Sequence, residues 1–270
     1  MHNKLFLVLG LLAVLGLVVG LVGAITFGQP DGNAHPYVGT LLFKQNGVGW
    51  YSCTGTLLSP TVMLTAGHCV EEADNVNDVT YVRFDENAMA GRGNYPNLQA
   101  WLDAEWILAS AVIPHPQHGS TGQSFDAGIV ILSQPVNVGT YGQLPSEGFL
   151  DTVLAERGNN TNWFTAVGYG MQGYINPFYS DEYARYNTTA RLIELRSTFA
   201  DATGGAKFTN HPGGGNGGTC YGDSGGPVFY QNTNIVTAVV SWGITPCIGV
   251  DYQYRIDTAS ALEFVRQYVP

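Results

Sequence analysis

Beyond residue 24 the apolar residues fall in short runs: TLLFKQ, WYSCTGTLLSPTVMLTA, VTYVRF, GIVILS, WFTAVGYG, ARLIELRSTF, GPVFY and NIVTAVVSWG. β-Branched and aromatic side chains dominate them, which suits a pleated, half-buried surface. The chain's 35 glycines and 13 prolines supply the turns between the runs. Many short strands with tight turns make an all-β sandwich or barrel the expected class, and 270 residues give it ample core for one large or two medium domains. Only the tail differs. In DTASALEFVRQYV, Ala261, Leu262, Val265 and Tyr268 recur at near-helical spacing. Asp257 is the expected N-cap, with Ser260 and Glu263 in capping-box relation as a second start. The Pro/Gly-rich interval Gln134 to Gly148 reads as a linker.

The net charge of −10 and the lack of any Lys/Arg-rich run argue against a nucleic-acid partner. The acidic run EEADNVND, Glu71 to Asp78, reads as a solvated loop, since it lacks a dedicated calcium-ligand spacing. Leu5 to Ala24 carries no charge, Lys4 precedes it, and Val22-Gly23-Ala24 ends it with small residues. This is the pattern of a signal peptide over 1–24, removed on export. An uncleaved anchor touching the membrane is the alternative, because about twenty apolar residues also span a bilayer. Either way the globular part lies outside the cytoplasm. There, Cys53, Cys69, Cys220 and Cys247 are expected in disulfides, in any of three pairings. No C-x-x-C spacing or paired histidines favour zinc, so neither a metal nor a cofactor is expected.

The stretch TCYGDSGGPVF, residues 219–229, sets Ser224 among glycines. Serine is a weak nucleophile unless a base and an orienting group accompany it. Of six histidines, His68 stands out in LTAGHC, where a turn ends an apolar strand and a cysteine follows. A bridge from Cys69 back to Cys53 would clamp that turn and contribute about 3 kcal/mol. Asp126, in SFDAGIVIL, opens another apolar strand, where a carboxylate needs a partner such as an imidazole N–H. His115 and His118, in HPQH, read as a surface turn before that strand. Asn159 and Asn187 fit the glycosylation pattern.

Together, CTGTLLSPTVMLTAGHC, FDAGIVILSQPV, FTAVGYG, CYGDSGGPVF and VVSWG resemble the chymotrypsin/trypsin family of serine proteases, in the family's order His, Asp, Ser. The likeness runs from about Ile25 to the C-terminus. It implies two packed antiparallel Greek-key β-barrels, over 25–143 and 144–270, with a C-terminal helix. It also implies that Ser224 attacks the scissile carbonyl, His68 carries the proton and Asp126 holds His68. The backbone N–H groups of Gly222 and Ser224 would form the oxyanion hole. Ser241, Trp242 and Gly243 would pair with the substrate backbone, Ser241 also reaching Asp126, while Cys220 and Cys247 would brace the pocket.

Gly218 occupies the pocket-floor position that is aspartate in trypsin-like members. With Thr219 and Gly243 it suggests a pocket for apolar or medium side chains, and Asp251 leaves a basic side chain open. Cleavage after Ala24 would expose the Ile25 amine for pairing with Asp223, although Phe27 stands where the family has glycine. The implied protein is a secreted monomeric endopeptidase acting on proteins or peptides. The rivals are a non-catalytic relative and an α/β-hydrolase esterase, which would need G-x-S-x-G and the order Ser, Asp, His.

Overall fold

The computed structural model describes residues 25–45, 49–70, 79–119, 124–156, 161–175, 178–195, 204–213 and 216–269. The leader, Asn159 and the run 71–78 lie outside them. The strands are β1 (Gln29–Pro30), β2 (Val38–Gln45), β3 (Gly49–Leu57), β4 (Val62–Thr65), β5 (Thr80–Arg83), β6 (Ile107–Pro114), β7 (Gly128–Leu132), β8 (Trp163–Gly168), β9 (Gly173–Ile175), β10 (Phe178–Ser180), β11 (Tyr186–Glu194), β12 (Gly205–Asn210), β13 (Pro227–Tyr230), β14 (Val236–Gly243) and β15 (Gly249–Arg255). The helices are α1 (Leu98–Glu105), α2 (Phe149–Ala155) and α3 (Ala259–Arg266).

The strands build two closed six-stranded antiparallel barrels, the first ordered β2-β3-β4-β7-β6-β5 and the second β8-β11-β12-β15-β14-β13. β5 closes the first against β2, and β13 closes the second against β8. Counted within each barrel, both orders read first, second, third, sixth, fifth, fourth. No sequence repeat announces this, because closure depends on which strands pair and the pairing tolerates any side chains of suitable size. Closure also leaves no long unpaired edge. β1 adds to β11, with Gln29 opposite Asn187, and brings the segment after Ile25 onto the second barrel.

Each barrel is filled from its own strands. Val38, Leu41, Leu57, Leu64, Val82, Ile129 and Val130 are fully buried in the first. In the second, Phe164 meets Phe208 edge to face at 5.1 Å, beside Leu192 and Val228. Each such side chain contributes roughly 1.5–3 kcal/mol on burial. Between the barrels, the buried Arg185 guanidinium donates to Asp31 Oδ2 and to the carbonyls of Val38 and Phe84, and its Nη1 reaches the Tyr169 hydroxyl, each at 3.0 Å. Asp31 also accepts from His35 Nδ1 (2.6 Å) and Asn187 Nδ2 (3.0 Å). The Asn187 sequon is thus part of a buried network. The interval from Gln134 carries the chain across: Gly142 N–H still bonds Leu57 O on β3, whereas Gln143 pairs with Ile235.

Helix α3 forms in the tail, with Ala261, Leu262 and Val265 buried. Its cap is one residue later than expected. Thr258 Oγ1 accepts from Ala261 N–H, while Asp257 is buried and accepts from Arg255 and from Leu150 N–H. An adjacent guanidinium outcompetes a helix end for the carboxylate. Helix α1, capped by Asn97, was not anticipated in the sequence. Among the described residues no helix is long and apolar enough to cross a membrane.

Candidate active site

His68 sits in a 3-10 turn, Gly67–Cys69, directly after β4. The turn is tied to β3 by the Cys53–Cys69 disulfide, with Cα atoms 6.3 Å apart. Asp126 immediately precedes Ala127 and β7, and its carboxylate is wholly buried. It accepts from His68 Nδ1 at 3.0 Å (Oδ2) and 3.1 Å (Oδ1), from His68 backbone N–H at 2.9 Å, and from Ser241 Oγ at 2.6 Å. Burial alone would raise its pKa. The His68 charge and the hydrogen bonds from His68 and Ser241 outweigh that and hold it below the usual carboxylate value. Asp126 is therefore a fixed anion aligning the imidazole.

HPQH does form a turn, with Pro116 and Gln117 exposed, but both imidazoles face inward: His115 is buried and the His118 side chain is only 4% exposed. His115 Nε2 lies 3.1 Å from Ser260 Oγ and its ring stacks on Phe125, tying α3 to the turn before Asp126. His118 Nδ1 donates to Ser124 O at 3.2 Å and stands 3.9 Å from Asp126 Oδ1. Phe125 and Phe264 pack on the His115 ring, whereas the His118 ring is set by Ser124 O and the approach to Asp126.

Ser224 lies in the turn between Cys220, bridged to Cys247, and β13. Ser224 and Tyr221 line two cavities at once. One, of about 410 Å³, also includes His68, Gly222, Tyr51, Tyr183 and Met171. The other, of about 230 Å³, runs along Thr219, Val240, Ser241, Trp242 and Gly243 to the Cys220–Cys247 bridge. Trp242 stacks on Tyr252 with ring centroids 3.9 Å apart. The glycines around Ser224 have different reasons. Gly222 has φ +96, and a Cβ there would lie 2.9 Å from Gly170 Cα. Gly225 has φ +78, and its Cβ would fall 2.0 Å from Thr65 Oγ1, so the turn is pressed onto the first barrel.

Gly218 and Asp251 do not line the smaller cavity but lie behind it. Asp251 accepts from Thr219 N–H (2.6 Å), Thr219 Oγ1 (2.8 Å) and Asn210 Nδ2 (2.5 Å). Burial raises its pKa to about 7 despite these bonds. A Cβ on Gly218 would lie 2.0 Å from Asn210 Cγ. Asn210, itself held by Thr26 Oγ1 and Thr219 O, has no room to retreat. Gly218→Ala is therefore expected to destabilise the fold by on the order of 3 kcal/mol, read as a lower midpoint in urea unfolding. An unchanged midpoint would show that Asn210 yields.

Thr26 pairs with Gly218 in an antiparallel bridge, and the Ile25 side chain is buried in the core of the second barrel. Phe27 takes φ +60, a left-handed conformation that glycine adopts without strain. Asp223 is fully buried, with its oxygens accepting from Gly170 N–H (2.8 Å) and Cys220 N–H (2.9 Å). Desolvation pushes its pKa up to about 8, against those two bonds. No side-chain cation pairs with it among the described residues. Among those residues, Cys53, His68 and Cys69 approach metal-ligand spacing, but the two sulfurs are bonded to each other. The sequence reading missed Thr54, a buried residue on β3 whose backbone and hydroxyl both reach the Ser224 turn. No motif announces it, because its partners are about 170 residues away.

A family model described as Trypsin matches residues 25–264. This chain belongs to the trypsin family. The family has the fold and type of the chymotrypsin-like serine endopeptidases. Trypsin-1 of Gadus morhua is 27% identical over 200 residues, covering 72% of each chain. Glucanase inhibitor protein 3 of Phytophthora infestans is 26% identical over 225 residues, covering 79% of this chain and 76% of that protein. The solved structure of HL collagenase superposes with a TM-score of 0.67 at 18% identity, covering 90% of this chain and 97% of that one, and so shares the fold. Trypsin-family membership accommodates both a relative named as an enzyme and one named as an inhibitor. The residues around Ser224 have to separate those possibilities.

Proposed function

We propose that this chain is an exported endopeptidase that cleaves peptide bonds through an acyl-enzyme on Ser224. One observation carries the reading: His68, aligned by the buried Asp126, shares a cleft with Ser224 and Gly222. In the first half-reaction Ser224 Oγ bonds to the scissile carbonyl carbon while its proton passes to His68 Nε2. The oxyanion accepts from the backbone N–H groups of Gly222 and Ser224. His68 then gives the proton to the leaving amine as the C–N bond breaks. In the second half-reaction water takes the amine's place, and the acid product leaves.

The Ser241-Trp242-Gly243 edge would hold the acyl side of the substrate in extended form. The smaller cavity, walled by Val240, Trp242 and a disulfide, suits an apolar or medium side chain. The apolar run before Ile25 and the two disulfides support export. Removal of 1–24 would free the Ile25 amine for Asp223 and so couple export to activation.

Labelling with a fluorophosphonate probe tests the reading. Covalent labelling of wild type, lost in Ser224→Ala and in His68→Ala, is the expected result. A folded, processed sample that stays unlabelled would favour the non-catalytic, inhibitor-like alternative. In a peptide library, strong Arg selectivity before the scissile bond would overturn the apolar pocket.

A further inference from the structure

We propose that Thr54 is a positioning residue that orients the oxyanion-hole peptides from the first barrel, an inference that rests on the acyl-transfer reading above. Four successive carbonyls, 221 to 224, are each held by a donor. Tyr221 O accepts from Met171 N–H (2.8 Å) and Asp223 O from Gly226 N–H (2.8 Å). Between these, Gly222 O accepts from Thr54 Oγ1 (2.9 Å) and Ser224 O from Thr54 N–H (2.8 Å). Peptides are planar, so fixing a carbonyl fixes the N–H that follows it. The bonds to Tyr221 O and Asp223 O thus set the two oxyanion donors, Gly222 N–H and Ser224 N–H. Thr54 holds the carbonyl side of the peptide that follows each of them, while the N–H side bonds Cys220 O (3.1 Å) and Val240 O (2.7 Å) in the second barrel's half, so Thr54 supplies the first barrel's grip on peptides that adjoin both donors.

Both Thr54 bonds come from β3, whereas Met171 and Gly226 belong to the second barrel's half of the chain. The residue therefore registers the oxyanion turn against the barrel that carries His68 and Asp126. Its side chain is fully buried, and its hydroxyl is used in both directions, accepting from Tyr169 N–H (3.1 Å) while donating to Gly222 O. A hydroxyl can do both, and a methyl of the same shape can do neither. Thr54 O is held in turn by Thr65 Oγ1 (2.8 Å), which locks β3 to β4 at this point.

The test compares Thr54→Val, which keeps shape and strand preference, with Thr54→Ser, which keeps the hydroxyl. Protein is normalised by active-site titration, and hydrolysis of a peptide amide substrate is followed. The valine variant is expected to lose about 10- to 100-fold in kcat with KM within about 3-fold, a part of what losing a whole donor costs. Serine is expected to restore kcat to within about 3-fold of wild type. Affinity for a peptide aldehyde, whose adduct carries the oxyanion, should fall in parallel with kcat. A valine variant with wild-type kcat, or a loss confined to KM, overturns the proposal. So does a serine variant as impaired as valine. If valine does not fold, Thr54→Ala against Thr54→Ser decides by the same criteria. Wild type without amidase activity would instead overturn the acyl-transfer reading itself.

Discussion

Gly222→Ala is expected to lower kcat by about 10²–10³-fold with little change in KM, the cost of one oxyanion donor on the acyl-transfer reading. The loss follows from two independent obstacles. At φ +96 an L side chain is strained, and its Cβ would lie 2.9 Å from the Cα of Gly170, which is backbone and cannot swing aside. Relief comes only by rotating the peptides on either side, which turns the Gly222 N–H away from the reacting carbonyl. Substrate binding should survive, since the smaller cavity and the Ser241–Gly243 edge do not touch Gly222. Steady-state kinetics on a peptide amide, with circular dichroism to confirm folding, measures this. A Gly222→Ala enzyme with wild-type kcat would mean that the oxyanion is stabilised elsewhere.

With the proposed cleavage after Ala24, Asp223→Asn should have opposite effects before and after residues 1–24 are removed. While Ala24 is still attached to Ile25, Asp223 is a buried carboxyl raised from its ordinary 3.8 to about 8, chiefly by desolvation. The folded chain then keeps a proton that the unfolded chain has lost. Stability falls as pH climbs from about 4 to about 8 and levels off above that. The replacement amide carries no charge, so in the precursor the substitution flattens this decline and stabilises the fold above pH 8. Once Ile25 is the first residue, its ammonium would offset the buried charge. Breaking such a buried pair costs about 3–5 kcal/mol, which predicts at least a 100-fold loss of activity. Urea unfolding of both forms at pH 5 and 8.5, together with turnover by the processed form, reads out both arms. A processed Asp223→Asn variant with full activity would dissociate activation from Asp223.

The fold class, the C-terminal helix and the segments that bring His68, Asp126 and Ser224 together were legible because each is written locally. LTAGHC, SFDAGIVIL and GDSGG are short strings in which a turn, a strand and a functional group are adjacent. What remained hidden is set by contacts distant in sequence. Arg185 belongs to no motif, and only the folded chain brings Asp31, Val38, Phe84 and Tyr169 around it. Thr54 is one threonine among many until carbonyls about 170 residues away come within 3 Å of it. His118 reads as a polar turn residue, because nothing nearby in sequence says that its ring faces Asp126. Asp257 has a good capping pattern and loses that role to the neighbouring Arg255. The pocket floor illustrates the same limit. Gly218 suggests open space in sequence, whereas the Asn210 side chain already fills it.

Arg185 bonds Val38 and Phe84 on one barrel and Tyr169 on the other, with Asp31 completing the buried cluster. A hinge at this seam would have to break several charge-assisted bonds at once inside the protein, so the groove keeps a constant gauge. A polypeptide must then fit the groove by straightening its own backbone. Tightly folded targets would be spared, and exposed tails and loosened loops would be cut first. On the acyl-transfer reading, discrimination among proteins would thus begin with the mechanical looseness of the target, before any side chain is recognised.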